Sequence, residues 1–167
     1  MHQHFLREAI RLSIDEMQDG RGGPFGAVVL SDGRIVGAGS NRVTTTNDPT
    51  AHAEIVAIRA ACTRLGTFSL AGGEIYASCE PCPMCLAAIY WARLGRLYYA
   101  ATRADAIPSV GQGFAPPNGR TGFDDAQIYD EISLAPDARS IPTTQALRRV
   151  ALATFDAWAK QASRVEY

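Results

Sequence analysis

His52-Ala53-Glu54 opens one helix-forming stretch and Pro81-Cys82-Pro83-Met84-Cys85 opens a second, and the reading of these two stretches decides the fold. Thr50 to Arg64 predicts a helix with Asp48 or Thr50 as N-cap and Pro49 near its first turn. Ile55, Val56, Ile58, Ala60, Ala61 and Leu65 give it nearly all-round burial. His52 and Glu54 fall in its first turn. Positions two apart on a helix differ by about 200° of rotation, so one of the pair faces an ion directly and the other reaches in from the side. Pro81 to Trp91 predicts the second helix, with proline at its start and Cys82 and Cys85 on one face of its first turn. A helix N-terminus favours thiolate over thiol. One imidazole and two thiolates carried by two helix starts form a donor set for tetrahedral Zn2+, with the fourth position left to water. Structural zinc sites normally use four protein ligands, so three ligands with a carboxylate beside them indicate hydrolysis.

Taken singly, each feature has an ordinary explanation. Cys-x-x-Cys in a reducing compartment is also a redox pair, and a histidine at a helix start is more often a cap or a surface group. Their conjunction in 167 residues selects the metal. Cys79 forms an overlapping Cys-x-x-Cys with Cys82 and is assigned to the end of the strand Glu74 to Ser78 rather than to the ion. Cys62, in mid-helix, reads as a packed core thiol.

The length fits one domain over residues 1–167, and 47% hydrophobic with 20% charged residues is ordinary for a soluble globule. The N-terminus has no apolar run of signal or membrane length, which points to the cytoplasm, where the four cysteines are expected to stay reduced. Net charge is −1, and the 16 basic residues, all arginine except Lys160, are spread without a run. That disfavours a large nucleic-acid footprint.

Elements alternate along the chain. His4 to Gln18 carries Leu6, Ile10, Ile14 and Met17 at helical spacing and ends at Gly20. Gly26 to Leu30 and Arg34 to Gly39 read as strands joined by Ser31-Asp32-Gly33, a hairpin turn. The His52 helix, the strand Glu74 to Ser78, the Cys82 helix and the strand Arg96 to Ala101 follow. This order predicts an α/β fold of three layers, α/β/α, around a central mixed sheet of about five strands, the first hairpin antiparallel and the later pair parallel. Ligands in such sheets sit where helices start beyond strand ends. Residues 107–121, rich in glycine and proline, read as a long loop. Ile128, Tyr129 and Ile132 suggest a short helix after it. A last helix capped by Thr143 or Thr144 places Leu147, Ala151, Phe155, Trp158 and Ala162 on one face. That face packs on its own domain or on another subunit.

The His-x-Glu and Pro-Cys-x-x-Cys pair is a signature of zinc nucleobase deaminases. Gly22-Gly23-Pro24-Phe25-Gly26-Ala27-Val28, Asn47-Asp48-Pro49-Thr50, Ile89-Tyr90-Trp91-Ala92-Arg93, Gly122-Phe123-Asp124-Asp125 and the terminal Glu166-Tyr167 narrow the match. With these, the chain resembles the bacterial guanine deaminases of the cytidine/deoxycytidylate deaminase superfamily almost end to end. The resemblance implies one Zn2+ per subunit on His52, Cys82 and Cys85, with Glu54 as proton shuttle. It implies that Asn41 and the Ala53 backbone hold polar edges of a purine base, Phe25 stacks on it, Asp125 reads its 2-amino or N1 side, and Trp91 and Tyr167 close the pocket. It also implies a homodimer whose C-terminal segment, residues 143–167, is exchanged between subunits. On the residues alone, Phe25 also fits a core role and Asp125 a solvated helix cap. The longer 107–121 loop departs from the family pattern at the pocket rim.

The expected reaction is hydrolytic deamination of guanine to xanthine and ammonia. Two other readings stand beside it: a deaminase of a nucleoside or of tRNA adenosine with the same zinc site, and a non-catalytic zinc-stapled module. The module needs a fourth protein ligand, for which Cys79 is the nearby candidate, and leaves Glu54 without a task.

Overall fold

The computed structural model describes residues 2–110 and 126–166. Helix α1 (His2–Gln18) leads into the hairpin of β1 (Gly26–Ser31) and β2 (Arg34–Ser40). At the tip, Asp32 (φ 50°) and Gly33 (φ 72°) both take left-handed backbone, the turn whose twist matches that of the flanking strands. A single turn, α2 (Val43–Thr46), precedes α3 (Ala53–Leu65). Then come β3 (Glu74–Cys79), α4 (Pro83–Trp91), β4 (Arg96–Ala101) and α5 (Arg103–Val110). Among the described residues the sheet has four strands in the order β2-β1-β3-β4, one fewer than the five expected. β1 runs antiparallel to both β2 and β3, whereas β3 and β4 are parallel.

Alternation along the strands sends successive side chains to opposite faces. Ala27, Val29 and Ile75 face α3 and α4, packing with Ala57, Ile58, Ala61 and Ile89. Val28, Leu30 and Tyr76 face the other way, against Phe5, Leu6 and Leu12 of α1. Each fully buried valine, leucine or isoleucine of this set contributes about 1.5–3 kcal/mol. β2 carries glycines at positions 37 and 39 because α3 lies directly on it. A Cβ on Gly39 would meet the Ala53 carbonyl and Ala57 N, and one on Gly37 would overlap the Ala57 carbonyl. The small residues Ala53, Ala57 and Ala61, spaced by four, present the matching seam. This close approach fixes the start of α3 over the end of β2.

Three local expectations are corrected. Asp48 does not cap α3; its carboxylate accepts from the Thr50 backbone N–H (2.8 Å) and hydroxyl (2.6 Å). That turn sends the chain onward in extended form, so the helix starts at Ala53 and His52 is its N-cap (φ −69°, ψ 157°). The loop expected over 107–121 begins later, because Ile107–Val110 completes α5. The missed signal is Thr102-x-x-Asp105. Asp105 accepts from the Thr102 N–H (2.8 Å), and the Asp105 N–H bonds the Thr102 hydroxyl (3.2 Å), a reciprocal cap that starts a helix despite Pro108. Residues 111–121 and Gly122–Asp125 lie outside the described residues.

The chain divides into two compact units, Met1–Asp125 and Ala126–Tyr167. The second contains α6 (Ala126–Ser133), a short turn of tighter helix (Pro136–Ala138) and α7 (Arg148–Lys160). Within it the Glu131 carboxylate accepts from the Ser140 N–H at 3.0 Å. α7 starts behind Leu147, which takes left-handed backbone, so Thr143 and Thr144 lie ahead of the helix and Ala162 beyond its end. None of its residues is buried; Val150, Phe155 and Trp158 are exposed. No helix among the described residues is long and apolar enough to cross a membrane.

Candidate metal centre and active site

Two helix starts and three strand ends meet at one edge of the sheet. The register pairs Ala27 with Ala77, so the beginning of β1 lies beside the end of β3, and the Gly26 N–H donates to the Ser78 hydroxyl at 3.0 Å. β2 ends at the same edge, where the Asn41 N–H donates to the Phe25 carbonyl at 3.0 Å. The Arg42 N–H reaches the Ala51 carbonyl at 2.8 Å and ties that turn to the segment carrying His52.

His52 and Cys82 occupy equivalent places. Each is the N-cap of its helix in extended conformation, and neither side chain caps its own helix. With ψ of 157° and 169°, both side chains stand before the first helical turn, which removes the 200° restriction that a helical His52 and Glu54 would face. Cys85, fully buried in the first turn of α4, supplies the third donor. The donor atoms of His52, Cys82 and Cys85 lie within 4.8 Å of one another, and His52 Nδ1 is 3.6 Å from Cys82 Sγ. A tetrahedral ion with Zn–S of about 2.3 Å and Zn–N of about 2.0–2.1 Å puts sulfur and nitrogen about 3.6 Å apart. The donor set therefore fits Zn2+.

Electrostatics agree with that assignment. The hydrogen bond from Cys85, with help from His52 and against the effect of burial, holds the Cys82 thiol down to about 4. Cys85 moves upward, first because it gives that hydrogen bond and then because it is buried. Together the pair presents a thiolate to a cation. Glu54, in the first turn of α3, is 8% exposed. Burial, and after it the charge of Cys82, push its carboxyl above the ordinary carboxylate range, opposed by its own backbone N–H and by Cys85. A carboxyl raised in this way beside metal donors is suited to accept and return a proton.

The other sequence-predicted residues divide into three groups. Phe25 is half-buried just ahead of β1 and packs on the α3/α4 side of the core, so its core role holds whatever else it touches. Asn41 Oδ1 accepts from the Val43 N–H (3.2 Å) and the Gly23 N–H (3.4 Å), which orients the amide NH2 away from those groups. Ala53 is the buried first residue of α3, and its N–H is among the first-turn donors that have no partner within a helix. These three share the edge of the metal donors. Trp91 is the last residue of α4, nine positions beyond Cys82 and about 13 Å further along the axis. It is 68% exposed, in a surface pocket lined with Ala87, Tyr90 and Arg93. Within this chain it stands apart from the donors. Asp125 and Tyr167 lie outside the described residues.

Cys79 closes β3 and its thiol donates to the Thr102 carbonyl at 3.5 Å; burial raises it, and the charge of Glu54 raises it further. It does not join the three-donor cluster. Sequence reasoning passed over Glu80. Its carboxylate accepts from the Arg103 N–H at 3.2 Å and fastens the turn bearing Cys82 to the start of α5. Twenty-three positions with no repeat between them left no signal for that contact.

A three-donor site with a buried carboxylate at the helix-bearing edge of an α/β/α sheet defines a zinc-dependent hydrolase. The model of the cytidine and deoxycytidylate deaminase zinc-binding region matches residues 1–101, and the chain belongs to that family. Guanine deaminase of Bacillus subtilis (strain 168) is 46% identical over 166 residues, 99% of each chain. The X-ray structure of guanine deaminase from Bacillus subtilis matches with a TM-score of 0.88, covering 100% of this chain and 99% of that one. The tRNA-specific adenosine deaminase of Agrobacterium fabrum is 47% identical over 96 residues, 56% of this chain and 63% of that protein.

Proposed function

We propose that the protein hydrolyses guanine to xanthine and ammonia. The observation that carries the substrate is end-to-end similarity to a guanine deaminase, whereas likeness to a tRNA adenosine deaminase spans little more than half of the chain. His52, Cys82 and Cys85 hold Zn2+. The ion, when bound, acts as a Lewis acid that makes water acidic enough to ionise near neutral pH. Glu54 takes a proton from the attacking water and places it on a ring nitrogen as oxygen adds to C2. It then carries the second proton to the 2-amino group, the C2–N bond breaks, and ammonia leaves. The Asn41 amide and the Ala53 N–H hold polar edges of the base, and Phe25 stacks on its face. Asp125 reads the 2-amino or N1 side, because an acceptor set in the pocket rejects bases that lack the donor.

The working unit of this reading is a homodimer. α4 is apolar around its circumference yet, within the unit Met1–Asp125, buries one side only, and α7 carries the apolar residues Val150, Phe155 and Trp158. A partner copy supplies cover for both, and exchange of residues 143–167 would bring Tyr167 over the partner's pocket. The cytoplasm suits the four free cysteines.

Ammonia release from guanine, guanosine, adenine, cytosine, cytidine and an anticodon-loop RNA tests the assignment. Release from guanine, with the others slower by at least about 100-fold, is the expected result. An inert guanine with an active adenosine-containing RNA would transfer the chain to the tRNA-editing reading. Light scattering of the full chain and of a form lacking residues 143–167 tests the assembly: a dimer that becomes monomeric and inactive is expected, and an active, unchanged species would remove the exchange.

A further inference from the structure

One carboxylate on the face of the sheet opposite α3 gathers the chain segments that carry Asn41 and Phe25. Glu16, near the end of α1, accepts at Oε2 from the Arg42 guanidinium (3.0 Å) and the buried Ser40 hydroxyl (3.2 Å), and at Oε1 from Arg21 (3.0 Å). Its side chain is 17% exposed, while those of Arg42 and Arg21 are 40% and 50% exposed. Arg21 belongs to the turn leading to Phe25, Ser40 ends β2, and Arg42 follows Asn41. The two segments are pressed together as well: a Cβ on Gly22 would overlap the Asn41 carbonyl, so only glycine lets the 20–25 turn lie this close. The Thr45 hydroxyl adds a bond to the Arg21 carbonyl at 2.9 Å.

We infer that Glu16 is a positioning residue for substrate recognition. Through Arg42 and Arg21 it holds the 20–25 turn against the 41–45 turn. In that register the Gly23 and Val43 N–H groups clamp Asn41 Oδ1 and the Arg42 N–H stays on the Ala51 carbonyl. The carboxylate touches neither the metal donors nor Glu54, so its effect falls on binding of the base and not on proton transfer. A partly buried carboxylate with three donors is a stronger tie than an isolated surface pair, because each donor satisfies an oxygen that burial has taken from water. The inference rests on the assignment of Asn41 as a contact to the base.

Glu16→Ala is expected to raise KM for guanine about 10-fold while kcat stays within about 3-fold and zinc content is unchanged. Glu16→Gln, which keeps an acceptor but loses the charge, is expected to fall between Ala and the parent; it replaces the alanine variant if that one does not fold. In an Asn41→Ala background the Glu16 change should add nothing, since the group it positions is gone. Phe5→Leu, which thins the packing of the same helix away from this carboxylate, should leave KM where it was. Hydrogen exchange reads the idea without any substrate. The amides of Gly23 and Val43 should exchange at least about tenfold faster in Glu16→Ala, with α3 and α4 unchanged. Independent, multiplying effects of the Glu16 and Asn41 changes, or unaltered protection of those two amides, would overturn the inference. A parent enzyme inert toward guanine would instead refute the substrate assignment, and the exchange measurement would still decide the role of Glu16.

Discussion

The metal-donor cluster and the Phe25–Asn41 edge meet at one end of the sheet, yet different forces hold them. His52 and Glu54 stand at the start of α3, which backbone-to-backbone packing pins on β2, and Cys82 and Cys85 at the start of α4; Gly37 and Gly39 admit α3 so closely that a methyl group would collide. Phe25 and Asn41 are half-buried and hang on backbone hydrogen bonds between turns, drawn together by Glu16, Arg21 and Arg42. Close packing fixes the helix start that carries His52 and the buried Glu54 carboxylate. Hydrogen bonds between turns leave an edge that substitutions tune without disturbing the fold. Changes in the first region should therefore abolish turnover, and changes in the second should weaken binding.

The largest effect tests the first region. Cys85→Ala removes a buried donor and should bring zinc content well below one per chain, with ammonia release lost; elemental analysis beside the assay checks both. Full zinc content with near-parental turnover would show that the cluster is not the engine. Next in size is Glu54→Gln, which keeps shape but cannot shuttle a proton. It should retain zinc and guanine binding while kcat falls by about 10^3–10^4-fold. A kcat within tenfold of the parent would take Glu54 out of the mechanism. Asn41→Ala follows, with kcat/KM for guanine lower by about 10–100-fold, most of it in KM. An equal loss in kcat would erase the distinction between the two regions.

The smallest effect comes from a site that belongs to neither. Glu74 accepts from the Tyr76 hydroxyl (2.6 Å) and from Arg96 (3.2 Å), contacts that hold its carboxyl below the ordinary range. A carboxyl lowered on folding adds stability above its unfolded pKa and loses it as pH falls through the lowered value. Glu74→Gln should therefore flatten the acid limb of a stability profile by less than about 1 kcal/mol, since this pair is partly solvated. Both kcat and KM should stay put; a change in either would connect the far side of β3 to the site.

Much of this could be read in the sequence because the signals were local. Asp32-Gly33 spelled the hairpin, short apolar runs marked the strands, and two ligand motifs fell at helix starts. The strands from Arg96 to Ala101 and from Glu74 were placed to within a residue. Other features escaped because a side chain spoke for a different partner. Asp48 looked like a helix cap but closes its own turn with Thr50, which moved His52 out of the helix. Pro108 and the glycines beyond it masked the Thr102–Asp105 cap that begins α5. The Glu16 network joins residues 24 and 26 positions apart, and no periodicity links them. Trp91 stands at the far end of α4 from the donors, where the predicted helix from Pro81 to Trp91 puts it.

X-ray absorption at the zinc edge of the loaded protein tests the central claim most directly. Two sulfur neighbours at about 2.3 Å and two lighter ones at about 2.0–2.1 Å, one of them exchanging when a purine inhibitor is added, are the predicted shell. Three or four sulfurs, or a first shell unmoved by the inhibitor, would mean that the ion is closed off by protein, and the hydrolytic account would fail.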